Sequence, residues 1–275
     1  MIARIEMDKD VAKLSGHKLS TDLSDHINVT KVGNIEDGTK KIRIVHISDT
    51  HMEHNGFLPN IPDGDILVHS GDFCRIGWKR LLVTPDNDVF LRSINEFFEK
   101  LPHKHKIFVA GNHDMVFDIG SCEEVQKKLP NVIYLQDSSV SIEGINFHGS
   151  PWTLYKWTSY NRGFCRERGK IEHFWDEIST DTNVLVTHIP PHGIMDTFPK
   201  KFQLFKKVYK HGGCPSLRKT IQERVRPELH LFGHAHGVAG VESVDGTVFS
   251  NAAFPHRELA NVFDYYICDE NKNMK

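Results

Sequence analysis

Five apolar runs of this chain each end in a polar motif, and this repetition constrains the fold more than any other feature. The runs are rich in Val, Ile and Leu, as strands buried on both faces are. The motifs that follow them, in chain order, are Asp49-Thr50-His51, Gly71-Asp72, Gly111-Asn112-His113-Asp114, Thr187-His188 and Gly233-His234-Ala235-His236. Because loops at the carboxyl ends of parallel strands converge, we expect these motifs to meet at one edge of a sheet.

Segments with helical periodicity lie between the predicted strands. Apolar side chains recur at spacings of three and four over residues 90–101, 171–178 and 217–225, as on the buried face of a helix. The apolar stretches 132–135, 140–147, 248–251 and 262–267 predict four further strands. Strands that alternate with helices predict an α/β protein. Residues 1–41 are polar and weakly periodic, so we interpret them as an extension, partly disordered or packed as an irregular arm, ahead of a domain over residues 42–275.

The side chains of the motifs indicate a site for two divalent metals. They offer imidazole, carboxylate and amide ligands with no thiolate, a set that suits Mn, Fe, Zn, Ni or Mg. Two such metals about 4 Å apart clamp a phosphoryl group and generate a hydroxide between them at neutral pH. The two oxygens of Asp72 suit a bridging position, while Asn112 adds a neutral oxygen that limits negative charge. His113 is expected to donate a proton to the leaving oxygen, and Asp114 to orient the His113 ring.

The order and spacing of the motifs resemble those of the calcineurin-like metallophosphoesterase superfamily, from Asp49 to His236. Further matches favour the metallophosphoesterase-domain-containing phosphodiesterase family, which includes brain-expressed vertebrate proteins. These matches are Tyr134-Leu135-Gln136-Asp137, Gly149-Ser150-Pro151-Trp152, Thr187-His188-Ile189-Pro190-Pro191 and Arg224-Val225-Arg226-Pro227. The resemblance implies a four-layer α/β/β/α sandwich, with the metals between two sheets.

The resemblance also implies a role for each residue of the motifs. One metal would be held by Asp49, His51 and His236, and the other by Asn112, His188 and His234. Asp72 would bridge both metals, and His113 would face the substrate without ligating. Some vertebrate members have glycine in place of His234 and are expected to be weak enzymes, so the complete ligand set of this chain favours activity.

Two loops beyond the motifs are candidates for substrate contacts. His192 follows His188 in a loop that Pro190 and Pro191 make rigid, and we expect it to contact the substrate. Residues 198–210 contain no acidic residue but five lysines, which are Lys200, Lys201, Lys206, Lys207 and Lys210. They form either a solvated basic loop or a rim that draws anionic substrates toward the site.

The resemblance implies a binuclear phosphodiesterase that hydrolyses small phosphodiesters, cyclic nucleotides among them, usually with manganese, and the ligand types agree with attack of a metal-bridging hydroxide. Two alternatives stay open. One is a nuclease or phosphomonoesterase of the same fold, although 34 basic and 36 acidic residues give a net charge of −2 and no global attraction for nucleic acid. The other is a weakly active nucleotide-binding module with a signalling or scaffold role, for which the polar extension would serve as a docking arm.

Cysteine usage and the first residues favour a cytoplasmic location. The five cysteines are scattered, odd in number and without a C-x-x-C pair, as reduced thiols in a reducing compartment are. Charged residues interrupt residues 1–10, so no signal peptide is predicted. The sequence has no apolar run of about 18 residues, so no membrane helix is predicted either. The physiological substrate, the identity of the metals and the oligomeric state are not predicted.

Overall fold

The computed structural model describes residues 29–33, 39–53, 56, 58–74, 87–118, 121–154, 163–199, 209–253 and 260–268. Its strands are β1 (Val29–Gly33), β2 (Thr39–Ile47), β3 (Ile66–His69), β4 (His105–Phe108), β5 (Ile133–Tyr134), β6 (Ser138–Ile142), β7 (Ile145–Ser150), β8 (Thr153–Leu154), β9 (Cys165–Arg166), β10 (Val184–Thr187), β11 (Thr197–Pro199), β12 (Tyr209–His211), β13 (Leu229–Phe232), β14 (Gly240–Val244), β15 (Thr247–Asn251) and β16 (Asn261–Cys268). Its helices are α1 (Asn87–Glu99), α2 (Cys122–Lys128), α3 (Glu172–Asp176) and α4 (Pro215–Thr220), which a π-helical turn over Ile221–Val225 continues. Short 3-10 turns span Leu58–Asn60, Met115–Phe117 and His236–Val238.

Two six-stranded sheets carry the motifs. The first sheet has the order β1-β16-β2-β3-β4-β5, and the second has the order β14-β15-β13-β10-β7-β6. In the first sheet β2 to β5 are parallel, while β16 is antiparallel to β2. In the second sheet β15, β13, β10 and β7 are parallel, and antiparallel strands β14 and β6 form its edges. The motif-bearing strands are thus neighbours within each sheet and point the same way.

Side chains alternate between two cores along the central strands. Ile66 and Val68 of β3 lie in a core with Val184 and Val186 of β10, so this core fills the space between the sheets. The intervening Leu67 packs on the other face, in a cluster with apolar side chains of α1 and α2. On the outer face of the second sheet, the same cluster takes in residues of α3 and α4. Helices therefore cover both sheets, and the predicted α/β class and four-layer sandwich are confirmed.

The sequence predicted that the domain begins at residue 42, but the first sheet already includes β1, which lies ahead of that residue. Strand β1 lies within the segment interpreted as an extension, and it pairs in parallel with β16, with Val32 opposite Tyr265. Val32 is buried between the sheets, whereas its neighbours Lys31 and Gly33 are exposed. A strand with a single fully buried side chain leaves little apolar pattern in the sequence. Residues 1–28 and 34–38 lie outside the described residues.

The strand predicted over residues 140–147 is wrong, because two strands occupy this stretch. Strands β6 and β7 pair in antiparallel fashion around a two-residue turn at Glu143 and Gly144. Both turn residues have positive φ, 54° and 86°, as the favoured two-residue hairpin turns require. The usual sequence signal for this turn is Asn-Gly or Asp-Gly, which the Glu-Gly pair does not display.

The described helices and thiols bear on two further expectations. None of the described helices combines the length and the apolar character needed to cross a membrane. Cys74, Cys122, Cys165 and Cys214 have free thiols, in agreement with the expected reduced cysteines. The side chain of the fifth cysteine, Cys268, lies outside the described residues.

Replacement of Val32 by Asp is expected to lower the free energy of unfolding by about 3 kcal/mol or more, because it buries an unpaired carboxylate between the sheets. The matched control is Lys31→Asp at the exposed neighbouring position, where we expect a change within about 0.5 kcal/mol. Urea unfolding of both variants measures the difference. Equal stabilities would contradict the placement of β1 in the core.

Protonation of His148 is expected to destabilise the fold at acidic pH. Its Nδ1 lies 2.9 Å from Ser139 Oγ, and burial, assisted by the charge of Arg224, lowers its pKa to about 4. Between pH 4 and the unfolded value of about 6.5, the unfolded chain binds a proton that the folded chain does not, so stability falls as the pH drops through this window.

The variant His148→Gln should therefore flatten the pH dependence of the free energy of unfolding, by up to about 1.4 kcal/mol per pH unit. Urea unfolding of wild type and variant between pH 4 and pH 7 measures the two slopes. Other titrating groups are common to both proteins, so the difference isolates His148. Parallel curves that differ only by a constant would show that this residue does not titrate in the window.

Candidate metal centre

The five motifs meet where the carboxyl ends of the two sheets face each other. In the first sheet, Asp49 and His51 follow β2, Asp72 follows β3, and Asn112 and His113 follow β4. In the second sheet, His188 follows β10, and His234 and His236 follow β13. Backbone hydrogen bonds join neighbouring loops beyond the strands. Asp49 N donates to Gly71 O at 2.8 Å, and Gly233 N donates to His188 O at 3.1 Å. The pairing of the strands thus continues into the loops and holds their side chains in register.

One group of possible metal ligands consists of Asp49, His51 and His236, whose ligand atoms all lie within 4.8 Å of one another. His236 Nε2 is 2.9 Å from Asp49 Oδ1 and 3.3 Å from His51 Nε2. The other carboxylate oxygen of Asp49 accepts hydrogen bonds from Ser48 Oγ at 2.6 Å and from His234 N at 3.0 Å. These two bonds turn Oδ1 toward the histidines.

A second group consists of Asp72, His188 and His234. His188 Nε2 lies 3.3 Å from Asp72 Oδ1 and 3.2 Å from Asn112 Oδ1, so Asn112 joins this group. Asp72 also belongs to a further set with His51 and His113, and it therefore lies between the two groups. The structure brings together all seven predicted ligands, and their assignment to individual metals stays a prediction.

The hydrogen bonds of two histidines fit them for metal binding. His51 Nδ1 lies 3.0 Å from the carbonyl oxygen of Cys74, and His188 Nδ1 lies 2.9 Å from that of Ser70. A carbonyl oxygen only accepts, so Nδ1 carries the hydrogen in both rings. When the rings are neutral, each Nε2 then presents its lone pair to the ligand group, as in metal-bound histidines whose other nitrogen is held by a carbonyl.

The charges of the site are mutually dependent. Burial alone would raise the pKa of Asp72, but the imidazoles of His188 and His113 hold it below its usual range. Burial alone would lower the pKa of His188, but the carboxylate of Asp72 raises it to about 9. Positive charge is thus stabilised at this place, which is the condition a divalent cation needs. The donor set therefore fits the divalent metals predicted from the sequence.

Several ligands have backbone conformations that are unusual for residues other than glycine. The φ angles are 56° at Asp49, 45° at His51, 55° at Asp72 and 67° at His234. Each such left-handed residue costs roughly 1–3 kcal/mol and is retained where the surroundings determine it.

Close packing against the ligands explains two of the glycines in the motifs. A Cβ atom at Gly111 would lie 2.4 Å from Asp72 Oδ1, and one at Gly233 would lie 2.1 Å from Asp49 Oδ2. No side chain fits at these distances. The backbone at these two motifs therefore approaches the carboxylates of Asp72 and Asp49 closely.

His113 lies beside the ligands and is partly open to solvent. Its backbone N donates to Asp72 Oδ1 at 2.7 Å. Its ring Nε2 is 3.7 Å from Asp72 Oδ2, with 20% of the side chain exposed, and the ring lies edge-on to His51 at 4.9 Å between centroids. This position allows either contact with a substrate or a place among the ligands, so the expected substrate role stays a prediction.

Asp114 holds two loops of the site together. Its carboxylate accepts hydrogen bonds from the backbone N–H groups of Cys74 at 2.7 Å, Gly111 at 2.8 Å and Phe73 at 3.3 Å. The side chain is fully buried. These bonds fix the loop after β3 against the loop after β4, a supporting task that the sequence did not suggest. A catalytic role for Asp114 stays a prediction.

His192 is exposed at the surface beside β12. Its ring lies 5.2 Å from that of His211, and its backbone N donates to Cys214 O at 3.1 Å. The His211 ring is held by the buried Asp196, with Nδ1 and Oδ1 at 2.5 Å. The substrate role of His192 stays a prediction.

Two features of the site were missed by sequence reasoning. The Phe198 ring of β11 lies 5.3 Å from the His234 ring, whereas the sequence drew attention only to the lysines of its segment. Residues 200–208, with four of these lysines, lie outside the described residues. His46 and His69, which belong to none of the five motifs, are fully buried next to the site. The signal for His46 was its place in the alternation of Ile42 and Ile44, which face the space between the sheets.

Replacement of Gly111 by Ala is expected to weaken metal binding about 10–100-fold, as the loss of a supporting contact to a ligand does, because the added methyl group displaces Asp72. The matched control is Gly237→Ala beside His236, where the nearest atom to a Cβ would be Thr197 O at 4.0 Å. Calorimetric titration of both variants with Mn²⁺ measures the affinities, and circular dichroism checks the fold. Equal affinities would show that Asp72 is not a ligand.

Comparisons with known proteins agree with this geometry. The family model described as calcineurin-like phosphoesterase matches residues 42–238. The UPF0046 protein C25E10.12 of Caenorhabditis elegans is 37% identical over 248 residues, which cover 83% of this chain and 81% of that protein. Metallophosphoesterase domain-containing protein 1 of Homo sapiens is 35% identical over 234 residues, which cover 77% of this chain and 65% of that protein.

A solved crystal structure supports the same fold. It superposes with a TM-score of 0.53 over 78% of this chain and 91% of the other chain, at 17% identity. At this identity the likeness concerns the fold alone, whereas the family match rests on the sequence. The motifs, their geometry and these relatives lead to one conclusion: the chain belongs to the calcineurin-like phosphoesterase family.

Proposed function

We propose that this protein is a binuclear metal-dependent phosphodiesterase that hydrolyses small phosphodiesters, including cyclic nucleotides, with manganese as its metal. The observation that carries the proposal is the position of Asp72. Its carboxylate lies in one set with His188 and His234 and in another with His51 and His113. A carboxylate shared between two ligand groups is what a pair of metals requires.

The ligands prepare the pocket for an anion. Two divalent cations outweigh the charges of Asp49 and Asp72, while Asn112 and the histidines add no negative charge. When bound, such metals polarise the phosphoryl oxygens and activate water for in-line attack. The task of the protein is to fix the ligand atoms before the substrate arrives. The left-handed backbone of four ligands and the hydrogen bonds that the Asp114 carboxylate accepts from backbone N–H groups serve this task.

His113 supplies the proton for the leaving oxygen in this proposal. Its ring is close to Asp72 and partly exposed, so a phosphoester held by the ligands has access to it. The hydrogen bond from His113 N to Asp72 Oδ1 fixes the backbone at this position. The ring can therefore swing toward the substrate without moving the carboxylate.

Apolar side chains next to the ligands favour a diester over a monoester. The Phe198 ring lies against His234, and Met115, just after His113 and Asp114, is 42% exposed. An exposed apolar surface beside a charged pocket suits the second, uncharged substituent that only a diester carries. Aromatic rings also stack well on phenyl groups and nucleobases, which supports aryl diesters and cyclic nucleotides as substrates.

A small phosphodiester or nucleotide in the cytoplasm is the partner that this proposal implies. The free thiols of Cys74, Cys122, Cys165 and Cys214 support a reducing compartment. A balanced net charge of −2 supports a small substrate over nucleic acid. No feature of the described residues calls for a membrane.

The diester bis-p-nitrophenyl phosphate is expected to exceed the monoester p-nitrophenyl phosphate in kcat/KM with Mn²⁺. Phe198→Ala should lower kcat/KM for the diester by about tenfold, or about 1.4 kcal/mol, and leave the monoester less affected. Tyr209→Ala, which removes an exposed ring from β12 of the same hairpin, is the matched control. Steady-state assays with both substrates, and with 2′,3′- and 3′,5′-cyclic nucleotides, measure the selectivity. A monoester preference of tenfold or more would overturn the diesterase proposal.

Replacement of His113 by Ala is expected to lower kcat about 10²–10⁴-fold, the usual worth of a general acid, while metal content is retained. His173→Ala removes an exposed histidine of α3 and serves as control. Metal analysis together with steady-state kinetics tests both parts of the expectation. Loss of metal along with activity would assign His113 to the ligands.

A further inference from the structure

A buried histidine connects the two sheets beneath the metal centre. His46 is the last inward-facing residue of β2 after Ile42 and Ile44, and it is 0% exposed. The inward-facing positions before it on β2 are apolar, so an imidazole is an unexpected side chain at this place. Its polar atoms must therefore be satisfied within the protein.

Both ring nitrogens of His46 are bonded to serines of different sheets. Nδ1 lies 2.7 Å from the Oγ atom of Ser250 in β15, and Nε2 lies 2.9 Å from the Oγ atom of Ser70, which follows β3. Asn261 of β16 in turn donates from Nδ2 to Ser250 Oγ at 2.9 Å. A continuous chain of hydrogen bonds thus runs from Asn261 through Ser250 and His46 to Ser70.

The donor at one end of the chain favours one direction of these bonds, since a hydroxyl oxygen that accepts a hydrogen bond becomes a better donor. Because Asn261 Nδ2 only donates, the Ser250 hydroxyl is free to donate its own hydrogen to His46 Nδ1. The remaining hydrogen of the neutral ring is then on Nε2 and is donated to Ser70 Oγ. Burial, together with nearby His69 and His230, lowers the pKa of His46 well below its usual value, in agreement with a neutral ring.

The chain of hydrogen bonds ends at a metal ligand. The carbonyl oxygen of Ser70 accepts the Nδ1 hydrogen of His188 at 2.9 Å, and this bond leaves His188 Nε2 facing Asn112 and Asp72. His51, in the other ligand group, is instead held by the carbonyl of Cys74. Among the described residues, the Ser70 carbonyl thus links His46 to His188 and not to His51.

We propose that His46 is a positioning residue that fixes Ser70 from below, and through the Ser70 carbonyl orients His188 for the metal it shares with Asn112 and His234. His46 acts in this way only if the chain binds two metals as proposed above. Loss of the ring should weaken one metal selectively, whereas a merely structural role should lower stability and affect both metals alike.

The test compares three variants by calorimetric titration of the metal-free full chain with Mn²⁺ alone. His46→Leu removes both hydrogen bonds and is expected to weaken one site about tenfold, toward the lower end known for outer partners of metal ligands. His46→Gln keeps an N–H near the position of Nε2 and should retain the affinity within about threefold. His188→Ala identifies which of the two binding steps belongs to that ligand group.

A matched control removes another buried histidine that is bonded to a serine. His148→Leu breaks the bond to Ser139, and it should lower stability without a selective change in either metal affinity. Ser70→Ala removes the hydroxyl and keeps the carbonyl, so it reports on the same link if His46→Leu does not fold. Ser70→Ala is expected to weaken the same single Mn²⁺ site that His46→Leu weakens.

A second readout needs no metal. Nitrogen NMR of the metal-free protein should show a hydrogen-bonded Nδ1–H of His188 that exchanges slowly with solvent in wild type and in His46→Gln, and faster exchange of this hydrogen in His46→Leu. Two unchanged Mn²⁺ sites in His46→Leu and Ser70→Ala, or equal weakening of both, would overturn the role of His46 alone. A wild-type protein that binds fewer than two Mn²⁺ ions would overturn the binuclear proposal as well.

Discussion

Two carboxylates, Asp49 and Asp72, are buried close together, and the rest of the structure depends on keeping both ionised. Burial and the nearby carboxylate of Asp72 both act to raise the pKa of Asp49. The hydrogen bond with His236 and the charge of His188 outweigh them and hold the pKa of Asp49 below its usual range. Both carboxylates follow strands of the first sheet, whereas both histidines follow strands of the second. Neither sheet provides the balance of charges alone, so the attraction that compensates the buried anions also joins the two halves of the sandwich.

The loops around this pocket are built to resist relaxation. Left-handed backbone at four ligands stores strain that a free loop would release. Hydrogen bonds between adjacent loops and the three amides held by Asp114 prevent this release. The absence of a side chain at Gly111 and Gly233 lets these loops approach within contact distance of the carboxylates. Rigid ligands lose little entropy on binding, which is what preorganisation contributes to an electrostatic site.

The sequence predicts the composition of the site well because parallel strands place their carboxyl ends together, whatever the details of each loop. It also predicts the layers, because strands such as β3 and β10 are apolar on both faces. It does not predict β1, in which only Val32 is fully buried. The conformations of Asp49 and Asp72 leave no sequence signal, since residues other than glycine rarely adopt them. The contacts of Phe198 and His46 arise between distant segments, which local patterns do not report.

The pairing of β16 with β2 has a consequence for how the molecule comes into being. Strand β16 lies between β1 and β2, along eight residue pairs, although it is the last described strand in the chain. Strand β2, which precedes Asp49 and His51, therefore keeps an unpaired edge until β16 has been synthesised. Contacts between such distant segments form late and slowly. A nascent chain thus has all seven candidate ligands before β16 completes the sheet that arranges three of the motifs.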